Sequence, residues 1–315
     1  MEGTRRTRRG LLTALVVAVV GLLLLVHHRL PRLPGNPVGL AETFLPWLGL
    51  AVPLGLVVAA LRRSVLSAVA CVVVGAVWLG VFHEPLASSE PGDSRAYDLT
   101  VVQHNVSDEN TSPSRVARIL LGPDPDLVAL QELTPSSLPA FQLVLASTHP
   151  HHATVGTVGL WSRYPLTDVA RIDLKPAEVP PGWERGLRAV VRGPHGPVTT
   201  YVAHLPSVRV RATEGYATAW RDESAARLGR ALTADRSAAV LVLGDLNGTV
   251  DDQGLSPVLS QVRGNRDAFG FSWPASLPLA RIDHVLGRGD AEVGTTWTLP
   301  DTGSDHLPVA ARVRL

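Results

Sequence analysis

The first aspartate of this 315-residue chain is Asp93, and three long uncharged or nearly uncharged segments precede it. Leu11 to Val26 has no charged residue, Val38 to Leu61 has only Glu42, and Ser64 to Phe82 has none. A helix needs about 20 apolar residues to cross the ~30 Å hydrocarbon core of a bilayer. A soluble core rarely demands such runs in succession, so the amino-terminal part is expected in lipid, as about three transmembrane helices (about 11–30, 38–61 and 64–82) forming an anchor over residues 1–82. Only 12 charged residues fall within residues 1–90, so the whole-chain mean hydropathy of +0.16 and formal charge of +1 average over two unlike parts.

Arg5, Arg6, Arg8 and Arg9 precede the first run, Arg62 and Arg63 follow the second, and only Arg29 and Arg32 lie between. Basic loop residues favour the cytoplasmic side. A cytoplasmic amino terminus is therefore expected and, after three crossings, an extracytoplasmic remainder on a multi-pass cell-membrane protein. The Arg-rich start also resembles a signal peptide, but no small-x-small cleavage site follows and two further runs do, which favours retention. Glu42, near the start of its run, is expected at the membrane interface. Cys71 is the only cysteine, which excludes a disulfide scaffold.

Residues 83–96 are rich in Ser, Pro, Gly and Glu, the composition of a linker. Beyond them the period changes. Apolar, β-branched runs (DLTVVQHNV, DLVALQEL, GPVTTYVAHL, SAAVLVLGDLN) alternate with more polar stretches of helical character, Ser114 to Gly122 and Glu214 to Asp235. One α+β domain is expected over 97–315. Its late strands, near Ile282–Gly287 and Leu307–Arg314, have little helix between them, so the sheets should be mixed.

Polar residues close these runs: Asn105, Glu132, His204, Asp245 with Asn247, Asp283, and Asp305 with His306. A single aspartate after a strand is ordinarily a turn or cap. The whole set points instead to a shared rim. In their order QHN, LQEL, AHLPS, LGDLNG, RIDHVLG and GSDHLPV, these motifs resemble the endonuclease/exonuclease/phosphatase superfamily of deoxyribonuclease-like phosphohydrolases, over Tyr97 to Leu315.

The resemblance implies a four-layer α/β/β/α sandwich with two mixed sheets, and phosphoester hydrolysis dependent on Mg²⁺ or Mn²⁺. It also implies roles. Glu132 would be the main metal ligand with Asp305 and Asn105 nearby, an all-oxygen set that suits Mg²⁺. His306 would stand beside the scissile phosphorus with Asp283 accepting its other ring N–H. Asp245 and Asn247, two apart and so on one side of an extended segment, would face the nucleophile and a phosphoryl oxygen of the substrate. His204 would donate to the non-bridging oxygens. Whether His306 or Asp245 is the base stays open. Arg163 in GLWSRYPL matches a Ser-Arg-x-Pro turn of the family and is a candidate substrate contact, with a purely structural turn as the alternative. Tyr164 is expected at a strand edge, and His149, His151 and His152 are expected not to hold a metal. The tyrosine by which DNA-cleaving members contact phosphate has no clear match in this sequence.

A nuclease must collect phosphates electrostatically, yet from Asp93 onward acidic side chains outnumber basic ones and Lys175 is the one lysine. Nucleic acid is possible but not favoured. A tether confines the site to the bilayer surface, where lipid-borne phosphates are concentrated. Fold and tether together resemble the membrane-anchored actinobacterial members associated with teicoplanin-type glycopeptide resistance. A polyprenyl pyrophosphate or lipid-linked wall precursor is therefore the leading substrate class. Extracellular nuclease, phospholipid or inositol-phosphate hydrolase, and non-catalytic scaffold are the alternatives.

Overall fold

The computed structural model describes residues 2–87 and 97–315, which divide into two units. The first is built on Met1–Ser88 and takes in Arg211–Tyr216 and Asp251–Gln253; the rest forms the second. Of the expected linker, His83–Ala87 is a short helix, and 88–96 lies outside the described residues.

In the first unit the apolar runs become helices α1 (Glu2–Val26), α2 (Pro37–Thr43), α3 (Ala51–Arg62), α4 (Val65–Val81) and α5 (His83–Ala87), with 3₁₀ turns at His27–Arg29 and Leu45–Leu50. Two stretches, Gly10–Arg29 and Leu45–Arg62, are long and apolar enough to cross a membrane. Val65–Val81, at 17 residues, sits at the lower limit of what spans. Three crossings are thus not established by length.

The segment expected as one helix over 38–61 is divided. Asn36 caps α2, its Oδ1 accepting the Gly39 N–H at 3.2 Å, with Pro37 in the first turn. The helix stops at Phe44 (φ −114°, ψ 27°), and the apolar stretch resumes at Leu45. Arg63 in the left-handed region (φ 49°) ends α3, and Ser64 caps α4 by accepting the Ser67 N–H at 3.3 Å. Small residues set the helix contacts: a Cβ at Gly21 would stand 2.7 Å from Val74 Cγ2, and one at Gly55 2.6 Å from Cys71 Sγ. Glu42 is buried within this unit, 3.2 Å from His27 Nδ1 and accepting from Gln253 Nε2 at 3.0 Å.

The second unit, counted with the β8–β9 hairpin, holds thirteen strands among the described residues: β1 (Leu99–Asn105), β2 (Leu127–Gln131), β3 (His151–Val155), β4 (Val158–Ser162), β5 (Leu166–Arg171), β6 (Gly186–Gly193), β7 (Gly196–His204), β8 (Arg209–Arg211), β9 (Gly215–Ala217), β10 (Ala239–Asp245), β11 (Asp283–Gly289), β12 (Glu292–Thr298) and β13 (Val309–Arg314). The hairpin β8–β9 falls partly in the first unit by its contacts. Helices α6 (Pro113–Leu120), α7 (Leu138–Leu145), α8 (Ala219–Ala234) and α9 (Ser256–Leu259) complete it.

One sheet has the order β12-β13-β1-β2-β4-β3, the other β11-β10-β7-β6-β5. Each contains one parallel pair, β1 with β2 and β10 with β7, and is otherwise antiparallel, so both are mixed as expected. A core between the sheets joins Val101, Ala129 and Leu160 of one to Leu187, Val202 and Leu241 of the other. Val116, Leu120 and Phe141 of α6 and α7 cover the outside of the first sheet; Ala225, Leu228 and Val258 of α8 and α9 cover the second. The layers are α/β/β/α. Central strands covered on both faces read as near-continuous apolar runs rather than alternating ones, and β10 is buried at every position.

Candidate active site

Strand direction gathers the polar residues. Asn105 ends β1, Glu132 follows β2, and His204 and Asp245 end the parallel pair β7 and β10. Strands β11 and β13 run the other way, so Asp283 at the start of β11, and Asp305 and His306 ahead of β13, come to the same rim. Backbone geometry supports this. Glu132 and Asn247 both adopt positive φ, 60° and 48°. At Gly244 (φ 159°) a Cβ would lie 1.9 Å from the Ala203 carbonyl oxygen, so only glycine fits between β10 and β7 one residue before Asp245.

Asp245 Oδ2 is the hub. Asn105 Nδ2 and Asn247 Nδ2 each donate to it at 3.1 Å, and His204 Nε2 and His306 Nε2 stand 3.6 and 3.8 Å away. Asn247 meets Asp245 by a turn, its N–H donating to Asp245 Oδ1 at 2.9 Å. The extended segment expected between them is therefore absent, although the side chains converge. Asn247 Nδ2 also donates to the Leu205 carbonyl at 2.9 Å.

His306 Nδ1 lies 2.8 Å from Asp283 Oδ2, the pairing expected from sequence. Gln103 Nε2 donates to Asp283 Oδ1 at 2.9 Å and Ser272 Oγ to Oδ2 at 2.7 Å, so both carboxylate oxygens are held. Ser304 Oγ donates to the Asn105 carbonyl at 2.7 Å and accepts the His306 N–H at 3.2 Å, tying the loop before β13 to the end of β1.

These contacts set the charges. Burial alone would discharge His306, but Asp283 and Asp245 beside it lift its pKa well above the ordinary imidazole range. Burial would raise Asp283; the His306 imidazolium and the hydrogen bonds from His306, Ser272 and Gln103 outweigh it and hold the carboxyl low. The two form an ion pair. Asp245 is pushed up by burial, with Asp283 adding to the rise and His306 opposing it. Burial and then Arg185 and His306 drive His204 well below its usual value, so it is neutral.

Asp245, Asp283 and His306 offer atoms within 4.8 Å of one another. A cation there would compete with the three donors on Asp283, and this trio is better described as an ion pair beside a buried carboxylate. Glu132, which accepts the Asp108 N–H at 3.2 Å and lies 3.7 Å from His204 Nε2, is one quarter exposed and offers oxygen toward solvent. Asp305 is largely exposed, with Oδ2 3.9 Å from His306 Nε2.

Arg163 is not brought to this rim. Strands β2 and β4 are antiparallel with Ser162 opposite Leu127, so Arg163 lies at the start of β2 while Glu132 follows its end. There Arg163 pairs with Asp124, and Tyr164 donates to Asp126 Oδ1 at 3.1 Å, a structural turn at the far edge. His149 Nε2 bonds the Pro125 carbonyl at 2.9 Å and His152 stacks on Trp161, and neither serves the rim.

Four residues escaped the sequence reading. Gln103 was within reach of it, since residues two apart on a strand share a face and Asn105 was already assigned. Ser272 sits in an irregular loop with no signal. Arg185 precedes β6, and only the register Gly186↔Ala203 reveals that its Nη1 comes within 3.2 and 3.3 Å of the His204 ring nitrogens. Arg221 on α8, buried, donates from Nη1 to the Asn247 carbonyl at 2.9 Å and stabilises that residue's left-handed backbone.

A four-layer sandwich carrying two histidines, buried carboxylates and asparagines at one rim defines the phosphoric ester hydrolase class. Residues 102–306 match the model of the Endonuclease/Exonuclease/phosphatase family, and the chain belongs to that family. Among curated proteins none matches. Solved structures share the fold. An endonuclease/exonuclease/phosphatase from Beutenbergia cavernae DSM 12333 is 20% identical over 70% of this chain and 72% of its own, with a TM-score of 0.56. Sphingomyelinase C from Streptomyces griseocarneus is 19% identical over 68% and 98%, TM-score 0.51. A double mutant of beta toxin from Staphylococcus aureus with bound magnesium ions is 15% identical over 68% and 99%, TM-score 0.50.

Proposed function

We propose that this protein is a membrane-anchored, divalent-metal-dependent phosphohydrolase that cleaves a phosphoester or pyrophosphate bond of a lipid-borne substrate on the extracytoplasmic face. A polyprenyl pyrophosphate or lipid-linked cell-wall precursor is the substrate class. The observation that carries the reading is one chain with apolar helices of spanning length and a rim of hydrolytic residues whose partners are all in place. A sphingomyelinase C among the proteins of similar fold supports the lipid-borne reading.

Glu132, Asn105 and Asp305 supply oxygen donors only, the set that a hard cation such as Mg²⁺ or Mn²⁺ takes, so the residues present fit the metal. Bound there, the ion would supply Lewis acidity to a phosphoryl oxygen. The chain's own groups divide the proton work. His306, held protonated by Asp283, is a donor at Nε2 and stabilises negative charge gathering on the phosphoryl oxygens. Asp245, raised by burial and oriented by Asn105 and Asn247, accepts the proton of attacking water, so that on this reading Asp245 and not His306 is the base. Neutral His204 and the adjacent Arg185 guanidinium offer further donors to the non-bridging oxygens.

The test is hydrolysis by the detergent-solubilised full chain with Mg²⁺, read as released phosphate or headgroup from undecaprenyl pyrophosphate and phosphatidylinositol phosphates and as strand cleavage for single-stranded and duplex DNA. Release is expected from the lipid pyrophosphate, lost with EDTA, and reduced by about 10³-fold or more in His306→Ala with the fold intact. A preference for DNA would overturn the lipid assignment, and inactivity on every substrate would overturn the catalytic one.

A further inference from the structure

Glu42 is the one charge in the apolar run 38–61, and it is only 2% exposed. A carboxylate withdrawn from water needs hydrogen-bond donors. It finds them inside the first unit, which includes Asp251–Gln253. Glu42 accepts the Gln253 N–H at 3.2 Å and Gln253 Nε2 at 3.0 Å, and stands 3.2 Å from His27 Nδ1. Gln253 Nε2 also donates to the His27 carbonyl at 2.8 Å.

The next residue of α2 fastens a second segment of the same unit, Arg211–Tyr216. The Thr43 hydroxyl has a single proton, which goes to the Gly39 carbonyl at 3.0 Å, so it accepts from Tyr216 Oη at 2.6 Å. The Tyr216 N–H donates to the Gly35 carbonyl at 2.9 Å. At Gly215 (φ 70°) a Cβ would stand 2.4 Å from Gly35 Cα, so only glycine admits this approach.

Both segments continue along the chain into the second unit, where they converge on one ion pair. Two residues after Tyr216, Thr218 Oγ1 donates to Asp222 Oδ2 at 2.9 Å. One residue after Gln253, a Cβ at Gly254 would stand 2.1 Å from Asp222 Oδ1 and 2.8 Å from Arg221 Nη2. Asp222 accepts from Arg221 Nε at 2.7 Å, and Arg221 Nη1 donates to the Asn247 carbonyl at 2.9 Å. Asn247 in turn donates to Asp245 Oδ2. Its left-handed backbone (φ 48°) is costly for a residue other than glycine and persists only where its surroundings hold it.

We propose that Glu42 and Thr43 are positioning residues for the catalytic rim. Through Gln253 and Tyr216 they fix the two segments that pack the Arg221–Asp222 pair, and that pair holds Asn247 against Asp245. The amino-terminal unit is then a working part of the hydrolase as well as its anchor. The proposal rests on Asp245 and Asn247 serving hydrolysis, and on no particular lipid substrate.

The test uses the full chain in detergent with Mg²⁺ and the water-soluble diester bis(p-nitrophenyl) phosphate, beside hydrogen–deuterium exchange of residues 247–254. Glu42→Ala and Gln253→Ala are each expected to lower kcat by about tenfold or more at nearly unchanged KM, and to speed exchange in that segment. Each breaks the same link, so the double variant should be no slower than the slower single one. Glu42→Gln, which keeps one accepting oxygen, should recover part of the loss. Gln253→Ala alters no residue of α1 to α5, so it decides the matter even where Glu42→Ala disturbs the anchor. Wild-type kcat in Gln253→Ala, unaltered exchange over 247–254, or losses that multiply in the double variant would overturn the proposal. Exchange needs no turnover and the diester carries no lipid, so failure here is separable from failure of the substrate assignment.

Discussion

At the scale of single residues, the Asp283–His306 pair dominates. A carboxyl held low contributes stability above its ordinary range and loses it as pH falls through the depressed value. An imidazole held high contributes fully below its ordinary range and loses that contribution as pH rises through the raised value. The pair is therefore intact across the neutral window. Asp283→Asn removes the strongest of the carboxylates that lift His306, so that burial outweighs what Asp245 still supplies. His306 is then expected neutral at pH 7.5 by ¹⁵N NMR, with kcat reduced by about 10²–10⁴-fold and the alkaline limb of the kcat–pH profile moved to lower pH. An alkaline limb that stays in place would show that His306 does not carry the essential proton. Arg185 gives a second expectation at this scale. Its Nη1 lies against His204, so Arg185→Lys, which keeps charge but loses the planar fork, should lower kcat more than it raises KM. A change confined to KM would make Arg185 a uniform binding contact, equally strong in the ground and transition states.

At the scale of elements, the end of α8 is fastened by one carboxylate. Asp235, whose side chain is 3% exposed, accepts from Arg188 Nε at 2.9 Å, Tyr201 Oη at 2.7 Å and the Ser237 N–H at 2.8 Å, joining β6 and β7 to the turn before β10. Burial would raise this carboxyl, but the Ser237, Tyr201 and Arg188 contacts prevail and hold it far below the usual range. Its contribution is thus present above the ordinary carboxylate range and lost in acid. Asp235→Asn is expected to cost about 1–3 kcal/mol at pH 7 and to shrink the stability loss on acidification, both read from urea denaturation between pH 7 and pH 3. An undiminished acid dependence would locate that effect elsewhere. The elements also show what sequence could and could not reveal. Strands such as Ala239–Asp245 were legible because burial on both faces writes a continuous apolar run, and their terminal polar residues were legible as a set. Arg163 stayed open between substrate contact and structural turn because its local motif is real while its position depends on strand direction, which pairing decides. Arg185 and Ser272 were hidden for the related reason that register and an irregular loop bring them to the rim. The break at Phe44 was masked by apolar residues on both sides of it.

At the scale of the whole molecule, the open quantity is the parity of membrane crossings. The arginines at the start of α1 and those at Arg62 and Arg63 favour one side, and Arg29 and Arg32 are outnumbered. Two helices have spanning length, and Val65–Val81, with 17 residues and no charge, decides whether the count is two or three. Three crossings place residues 97–315 outside the cell; two leave them inside with the amino terminus. Substrate follows from parity, because an extracytoplasmic enzyme meets only the headgroups displayed on the outer leaflet. The Ser64 cap and the αL residue Arg63 favour a third crossing, since they let α4 turn back directly from α3 with its polar end groups satisfied. Alkaline phosphatase fused after Arg95 is accordingly expected to be active, and a cytoplasmic fluorescent reporter at the same point dark. The reverse pattern would make α4 a peripheral helix and exclude every extracytoplasmic substrate. Replacing Gly75 by Arg in α4 should then convert one pattern into the other only where α4 spans, because an arginine at the centre of a crossing helix costs about 2.5–3.5 kcal/mol while one on a peripheral helix is solvated.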